Sequence, residues 1–396
     1  MDNAKHYFRL KGQSAEDALY SLAEETFLAD WCYLRPKRPD GRELCDLLVV
    51  FDNVAIIWQV KNLKLNEFGE FNQGELEDNL RQLNGAWRQL FDLKTPIELG
   101  NPKRRKEKFD PSIITEIYLI SVLFGKPPNY LVFAESIKTY QVHVFSQRFT
   151  EIVLNELDTV TDFVHYLGEK QNLLTQDRNI HVIGGEEELL VIYLQDGRSF
   201  GELLEYDDIH TTGGIWQQHT AKPEYLAKKR ADEISYLVDH LIEIIHDGEV
   251  KEYEIVAREL ARLNRYKRRL LANALYEGRI KALNGTGSLL RRLVPLDGVT
   301  ICLLYQDKTD NTGKGRQNRL SMMCFVARGL HRANEKVIGI ATDKTLSDVD
   351  SYDFCLVNIA DWTDEMQRWM ERIQEETGMF KNFERTHTSE DEYPIN

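Results

Sequence analysis

The chain has 396 residues, 64 acidic against 50 basic, and a formal net charge of −14. That length favours two or three domains over one core, and the acidity excludes a protein that coats nucleic acid tightly and nonspecifically. At 42% hydrophobic residues, whole-chain disorder is excluded as well.

In chain order, Ala15, Ala18, Leu19, Leu22 and Ala23 recur at helical spacing and predict a helix over 14–25, with Ser14 as its N-cap. A strand over 27–34 follows, closed by Arg35-Pro36 and a turn at Pro39-Asp40-Gly41. Two apolar runs, 44–51 and 55–60, joined by Asp52-Asn53, read as a hairpin. A long helix over about 76–91, a basic loop at 103–106, strands at 114–123 and 142–145, and a helix over 149–157 complete a first unit ending near 170. The middle, 171–290, reads as mainly helical, with long helices over 227–246 and 252–275; 187–194 is helix or strand. The region 291–380 reads as a small α/β domain with a parallel sheet, and 381–396 as an acidic, mobile tail. The fold class expected is α/β: a mixed-sheet core, a helical middle and a small C-terminal α/β domain.

The five cysteines (Cys32, Cys45, Cys302, Cys324, Cys355) are odd in number and never spaced as C-x-x-C. With no secretory pattern at the start, they point to free thiols in a reducing, cytoplasmic setting and argue against a cysteine zinc site. No run reaches the ~18 apolar residues of a membrane helix, so no membrane partner is expected.

The chemistry concentrates in the hairpin. Asp46 opens its first strand, and Gln59 and Lys61 lie near the end of the second on one side, because strand side chains alternate with period two. A carboxylate, an amide and an ammonium gathered there are costly if buried unpaired. A divalent cation resolves the conflict, since the oxygens of Asp46 and Gln59 suit Mg²⁺ or Mn²⁺, and Lys61 suits an attacking water and developing charge on phosphate. The bland alternative is a strand-opening aspartate and a solvated strand-end lysine.

Asp46, the Gln59-Val60-Lys61 run and the 13-residue separation between Asp46 and Gln59 resemble the PD-(D/E)xK nuclease superfamily, in its branch of Mrr-like restriction endonucleases and Holliday-junction resolvases. The resemblance covers about residues 1–150. It implies a restriction-endonuclease-like core, Glu16 in the first helix, Asp46 and Gln59 as metal ligands with the Val60 carbonyl facing the metal, and Lys61 as the catalytic lysine. It also implies nucleic acid as partner, DNA favoured over RNA, and a homodimer. Pro39-Asp40 is set aside because Asp40 sits in a turn. From the domain layout come two further expectations: a role in bacterial antiviral defence, and an activating ligand or partner protein at the C-terminal domain. The competing classes are a catalytically inactive nuclease-fold adaptor and a ligand-sensing regulator.

Secondary candidates are basic. Lys103, Arg104, Arg105 and Lys106 form either a phosphate contact or a solvated loop. Arg258, Arg262, Arg265 and Arg269 recur along one helical side, and either track a nucleic-acid backbone or pair with Glu252, Glu254 and Glu259. Trp216, His210 and His219 lie in expected loops. The Thr312-Gly313-Lys314-Gly315-Arg316 run before a helix suits an anion without the spacing of a P-loop.

Overall fold

Apolar runs too short for helices become strands, and apolar residues at helical spacing pack as helices across them. The computed structural model describes residues 15–62, 73–124, 134–137, 140–174, 179–248, 250–285, 290–296, 298–307, 314–344, 351–381 and 391–394. The chain is mixed α/β and divides into two units, residues 1–222 and 223–396.

In the first unit, α1 (Ala15–Phe27) leads into β1 (Cys32–Leu34), β2 (Leu47–Phe51) and β3 (Val54–Asn62). The strand expected over 27–34 is shortened: Phe27 ends α1, Leu28 takes a left-handed φ of 65°, and a 3₁₀ turn covers Ala29–Trp31. Next come α2 (Gln73–Trp87), extended by a π turn, and the hairpin of β4 (Glu98–Asn101) and β5 (Arg104–Lys108). Then follow β6 (Glu116–Phe124), β7 (Ala134–Ile137), β8 (Tyr140–Ser146), α3 (Gln147–Glu156) and α4 (Val160–Leu174). The unit ends with β9 (Asn179–His181), α5 (Glu186–Gln195), β10 (Asp208–His210) and α6 (Ile215–Thr220).

The main sheet runs β1-β2-β3-β6-β8-β7. Neighbours β1/β2, β2/β3 and β7/β8 are antiparallel, whereas β3/β6 and β6/β8 are parallel. Its two faces bury different cores. Leu48, Ile57, Leu119 and Val142 meet Leu83, Ala86 and Leu90 on the α2 side. On the opposite face Trp58, fully buried, stacks on Phe163 at 5.7 Å and lies 6.3 Å from both Phe27 and Phe145.

The boundary expected at 170 falls inside α4. There Lys170, fully buried, pairs with Glu186 at the start of α5, and Tyr166 donates to the same carboxylate at 3.0 Å. Burial lowers the Lys170 pKa and raises that of Glu186, and each partner's charge opposes the other's shift. The segment up to 222 therefore belongs to the first unit.

His143 on β8 is equally buried. Its Nε2 lies 3.3 Å from the Gln171 amide, and its Nδ1 has no hydrogen-bond partner. Burial, then the Lys170 charge, hold its pKa well below the ordinary 6.5. Below pH ~6.5 the unfolded chain takes up a proton that the folded chain refuses. This contribution is thus complete above that pH and is lost as pH falls, by up to about 1.4 kcal/mol per unit. Between pH 7 and 5 the Tm of His143→Gln should fall less steeply than that of the wild type; parallel slopes would contradict this.

The second unit contains α7 (Pro223–Asp232), α8 (Tyr236–Asp247), α9 (Glu254–Ala261) and α10 (Arg265–Asn284). The helix expected over 227–246 is broken by a 3₁₀ turn at Glu233–Ser235, and that expected over 252–275 breaks at Asn264, whose side chain caps α10 through the Lys267 amide. There follow β11 (Leu290–Leu296), β12 (Val299–Tyr305), α11 (Lys314–Leu330), β13 (Lys336–Thr342), β14 (Tyr352–Asn358) and α12 (Asp364–Thr377). The sheet β11-β12-β13-β14 is mixed, not parallel: only β12 and β13 run parallel. Helices α7 to α10 belong to the same unit as this sheet, so 290 is not a unit boundary either. Nor is the tail wholly free. Arg269 donates to the carbonyls of Asp391, at 2.7 Å, and Glu392, at 3.1 Å. Residues 382–390 lie outside the described residues.

All five cysteines are free, four of them buried. No helix among the described residues is long and apolar enough to cross a membrane.

Candidate active site

The hairpin brings Asp46 and Gln59 together. Leu47 pairs with Trp58, so Asp46 stands opposite Gln59 where β2 begins. The Gln59 amide Nε2 donates to Asp46 Oδ2 at 2.5 Å, and the Val60 backbone N–H donates to the same oxygen at 2.6 Å. Asp46 is 5% and Gln59 8% exposed. Beyond Trp58, β3 has no β2 backbone beside it, and the carboxylate takes the place of the missing strand.

Asp46, Gln59 and Lys61 all fall on the α2 face by alternation from Leu48 and Ile57, which belong to the core on that face. Lys61 is half-buried and lies two residues beyond Gln59, about 7 Å along the strand.

Two residues that sequence reasoning missed complete this cluster. Asn79, fully buried on α2, donates through Nδ2 to the Gln59 carbonyl at 3.2 Å and to Ser121 Oγ on β6 at 2.7 Å. Its Oδ1 is buried and has no hydrogen-bond partner. Signals for both were present: Asn79 occupies an apolar-spaced position between Leu76 and Leu83, and Ser121 interrupts an apolar run.

Glu16 stands in the first turn of α1, and its side chain is not among those described. Its neighbour Asp17 pairs with Arg35 at 3.3 Å, and the Arg35 N–H donates to the Asp46 carbonyl at 2.9 Å, so the helix starts at the Asp46 end of the sheet. The far end of α1 packs on the opposite face, Phe27 against Trp58.

The residues fit a hard divalent cation in donor chemistry: the Asp46 carboxylate, the Gln59 amide oxygen and the Val60 carbonyl are all oxygens of the kind Mg²⁺ takes. For Gln59 to offer Oε1 towards Asp46 its amide must turn over, which removes one of the two donors on Asp46 Oδ2. Among the described residues no group of three or more His, Cys, Asp or Glu side chains could hold a metal ion.

Comparison with protein-family models, curated proteins and solved structures found no match for this chain.

The basic candidates separate. Lys103 and Lys106 are exposed on the β4–β5 hairpin, which replaces the expected loop; the side chains of Arg104 and Arg105 are not among those described. Asn101 anchors the hairpin through the carbonyls of Ala29, Asp30 and Cys32 at 2.9–3.1 Å. Arg265 is withdrawn as a nucleic-acid contact: it is 3% exposed and pairs with Asp239 at 2.7 Å. Arg269 is buried against Asp232 at 2.9 Å, and Arg258 pairs with Glu254 at 3.0 Å. Arg262 is exposed and pairs with Glu259. The expected pairing with neighbouring glutamates thus holds for Arg258 and Arg262, whereas Arg265 and Arg269 are buried against aspartates of preceding helices.

His219 is buried in α6 beside Gln195, and His210 stacks on His181 at 4.7 Å. Trp216 lies half-buried in α6, its backbone N–H donating to Glu188 at 2.8 Å. Thr312 and Gly313 lie outside the described residues, and Arg316 is buried against Asp343 and Asp353 at 2.8 and 2.5 Å.

Proposed function

We infer that the first unit is a metal-dependent nuclease of the PD-(D/E)xK kind, hydrolysing phosphodiester bonds in nucleic acid, with DNA favoured. The observation that supports this best is the buried Asp46–Gln59 pair at a hairpin end, with Lys61 on the same strand face. Asp46, Gln59 and the Val60 carbonyl would hold Mg²⁺ or Mn²⁺, with Glu16 joining from α1. Bound there, a cation would supply Lewis-acid stabilisation of the scissile phosphate and a lowered water pKa. Lys61 orients the attacking water through a hydrogen bond from Nζ and stabilises negative charge developing on the phosphate. Asp46 fixes the 59–60 peptide and so the direction in which Lys61 leaves the strand. Lys103 and Lys106 would contact substrate phosphates, which makes binding strongly salt-dependent.

A second reading, a nuclease-fold adaptor without catalysis, is favoured by one observation: Asp46 Oδ2 is already satisfied by two protein donors. Lys61→Ala separates the two. In the nuclease reading, purified wild type with Mg²⁺ or Mn²⁺ nicks plasmid or cuts linear DNA, single strands or RNA, and Lys61→Ala lowers the rate about 10²–10³-fold at unchanged Tm. A wild type that cleaves none of these substrates, alone or with cell extract, leaves the adaptor.

A further inference from the structure

The Gln59–Val60 peptide is held at both ends. Its carbonyl accepts from Asn79 Nδ2 at 3.2 Å, and its N–H donates to Asp46 Oδ2 at 2.6 Å. The donors therefore run in one direction, from the Asn79 amide through a single peptide group to the Asp46 carboxylate, and each bond polarises the next. The second Nδ2 hydrogen goes to Ser121 Oγ at 2.7 Å, which fixes the rotation of the Asn79 side chain. Both hydrogens spent, the amide leaves Oδ1 buried and without a partner. A buried acceptor without a donor costs about 1–3 kcal/mol. An ordinary core position among Leu76, Leu80 and Leu83 would not carry that cost, since an apolar side chain of similar volume avoids it.

We propose that Asn79 is the positioning residue of this site: through the 59–60 peptide it sets the Asp46 carboxylate, and with it the strand end that carries Lys61. The role rests on the nuclease reading for its consequence in catalysis, but its structural half does not. Asn79→Asp is the sharpest variant, because it keeps the shape and replaces the donor by an acceptor. The Ser121 hydroxyl can turn to donate to the new carboxylate; the Gln59 carbonyl has no donor to give and loses its side-chain bond, keeping only what the β3–β6 pairing provides.

Two measurements on the full chain test this. In protein labelled with [15N]valine, the Val60 amide signal, assigned by its disappearance in Val60→Ile, is expected far downfield because it donates to a carboxylate. Asn79→Asp should move it upfield, with the valine signals of the second unit unmoved. In the cleavage assay with Mn²⁺, Asn79→Asp should lower kcat about 10–100-fold with little change in KM, and Ser121→Ala should lower it less. A Val60 signal that stays in place in a folded Asn79→Asp variant overturns the proposal, whatever the activity. A Val60 signal that moves while kcat is unchanged overturns the catalytic half alone. A wild type that does not cleave removes the nuclease reading, and the Val60 shift still decides whether Asn79 positions Asp46.

Discussion

Asp46→Ala is expected to abolish metal-dependent cleavage and to destabilise the first unit. The carboxylate accepts from the Gln59 amide and from the Val60 N–H, and both donors are buried beside it. Truncation removes the acceptor and leaves each donor unsatisfied, at about 1–3 kcal/mol for such a group. Asp46→Asn retains one carbonyl acceptor and the shape, so it should recover much of the stability and none of the activity. Urea unfolding of both variants beside a plasmid-nicking assay checks this. An Asp46→Ala protein that unfolds with the wild type would mean that the cluster at the hairpin end is not formed; one that still cleaves would remove Asp46 from the chemistry.

The second large effect belongs to the other unit. Asp239 on α8 pairs with Arg265 at 2.7 Å and with Arg268, both buried on α10. Arg265 also donates to Ser235 Oγ at 3.1 Å and lies 4.4 Å from the Tyr236 ring, while Arg268 donates to the carbonyls of Leu263 and Ala261. Removing one carboxylate takes the Asp239 ion pair away from two buried guanidinium groups at once. Asp239→Ala should therefore cost about 3–5 kcal/mol, followed in urea through Trp362 and Trp369 of that unit. A loss below about 1 kcal/mol, the scale of an exposed pair, would mean that these arginines are solvated and would return them as candidate phosphate contacts.

The arginine series marks one limit of what periodicity carries. Arg258, Arg262, Arg265 and Arg269 do share a helical spacing, and spacing alone places charges outward. Their partners Asp232 and Asp239 stand on the preceding helices, 37 and 26 residues away from Arg269 and Arg265, so only the packed fold reveals that two of the four face inward. The same physics hid Asn79, which lies 20 residues from Gln59 and 42 from Ser121. The hairpin was legible because its information is local: apolar alternation on either side of Asp52-Asn53 sets the register, and the register alone places Asp46 opposite Gln59. Strands β12 and β13 were legible for the same reason. Their sheet is not parallel because the strand over 290–296, Arg-rich and containing Pro295, adds an antiparallel edge, and β14, itself expected as a strand, runs antiparallel to β13; neither direction is encoded in a local pattern.

A crystal structure of the full chain grown with Mn²⁺ tests the central claim most directly. The expected result is an anomalous peak about 2.1–2.2 Å from an Asp46 oxygen, near the distance hard cations keep to carboxylates, with the Gln59 amide turned to offer Oε1 or the Val60 carbonyl in contact. Asp46 holding both its Gln59 and Val60 hydrogen bonds, with no peak beside it at saturating Mn²⁺, would contradict the account.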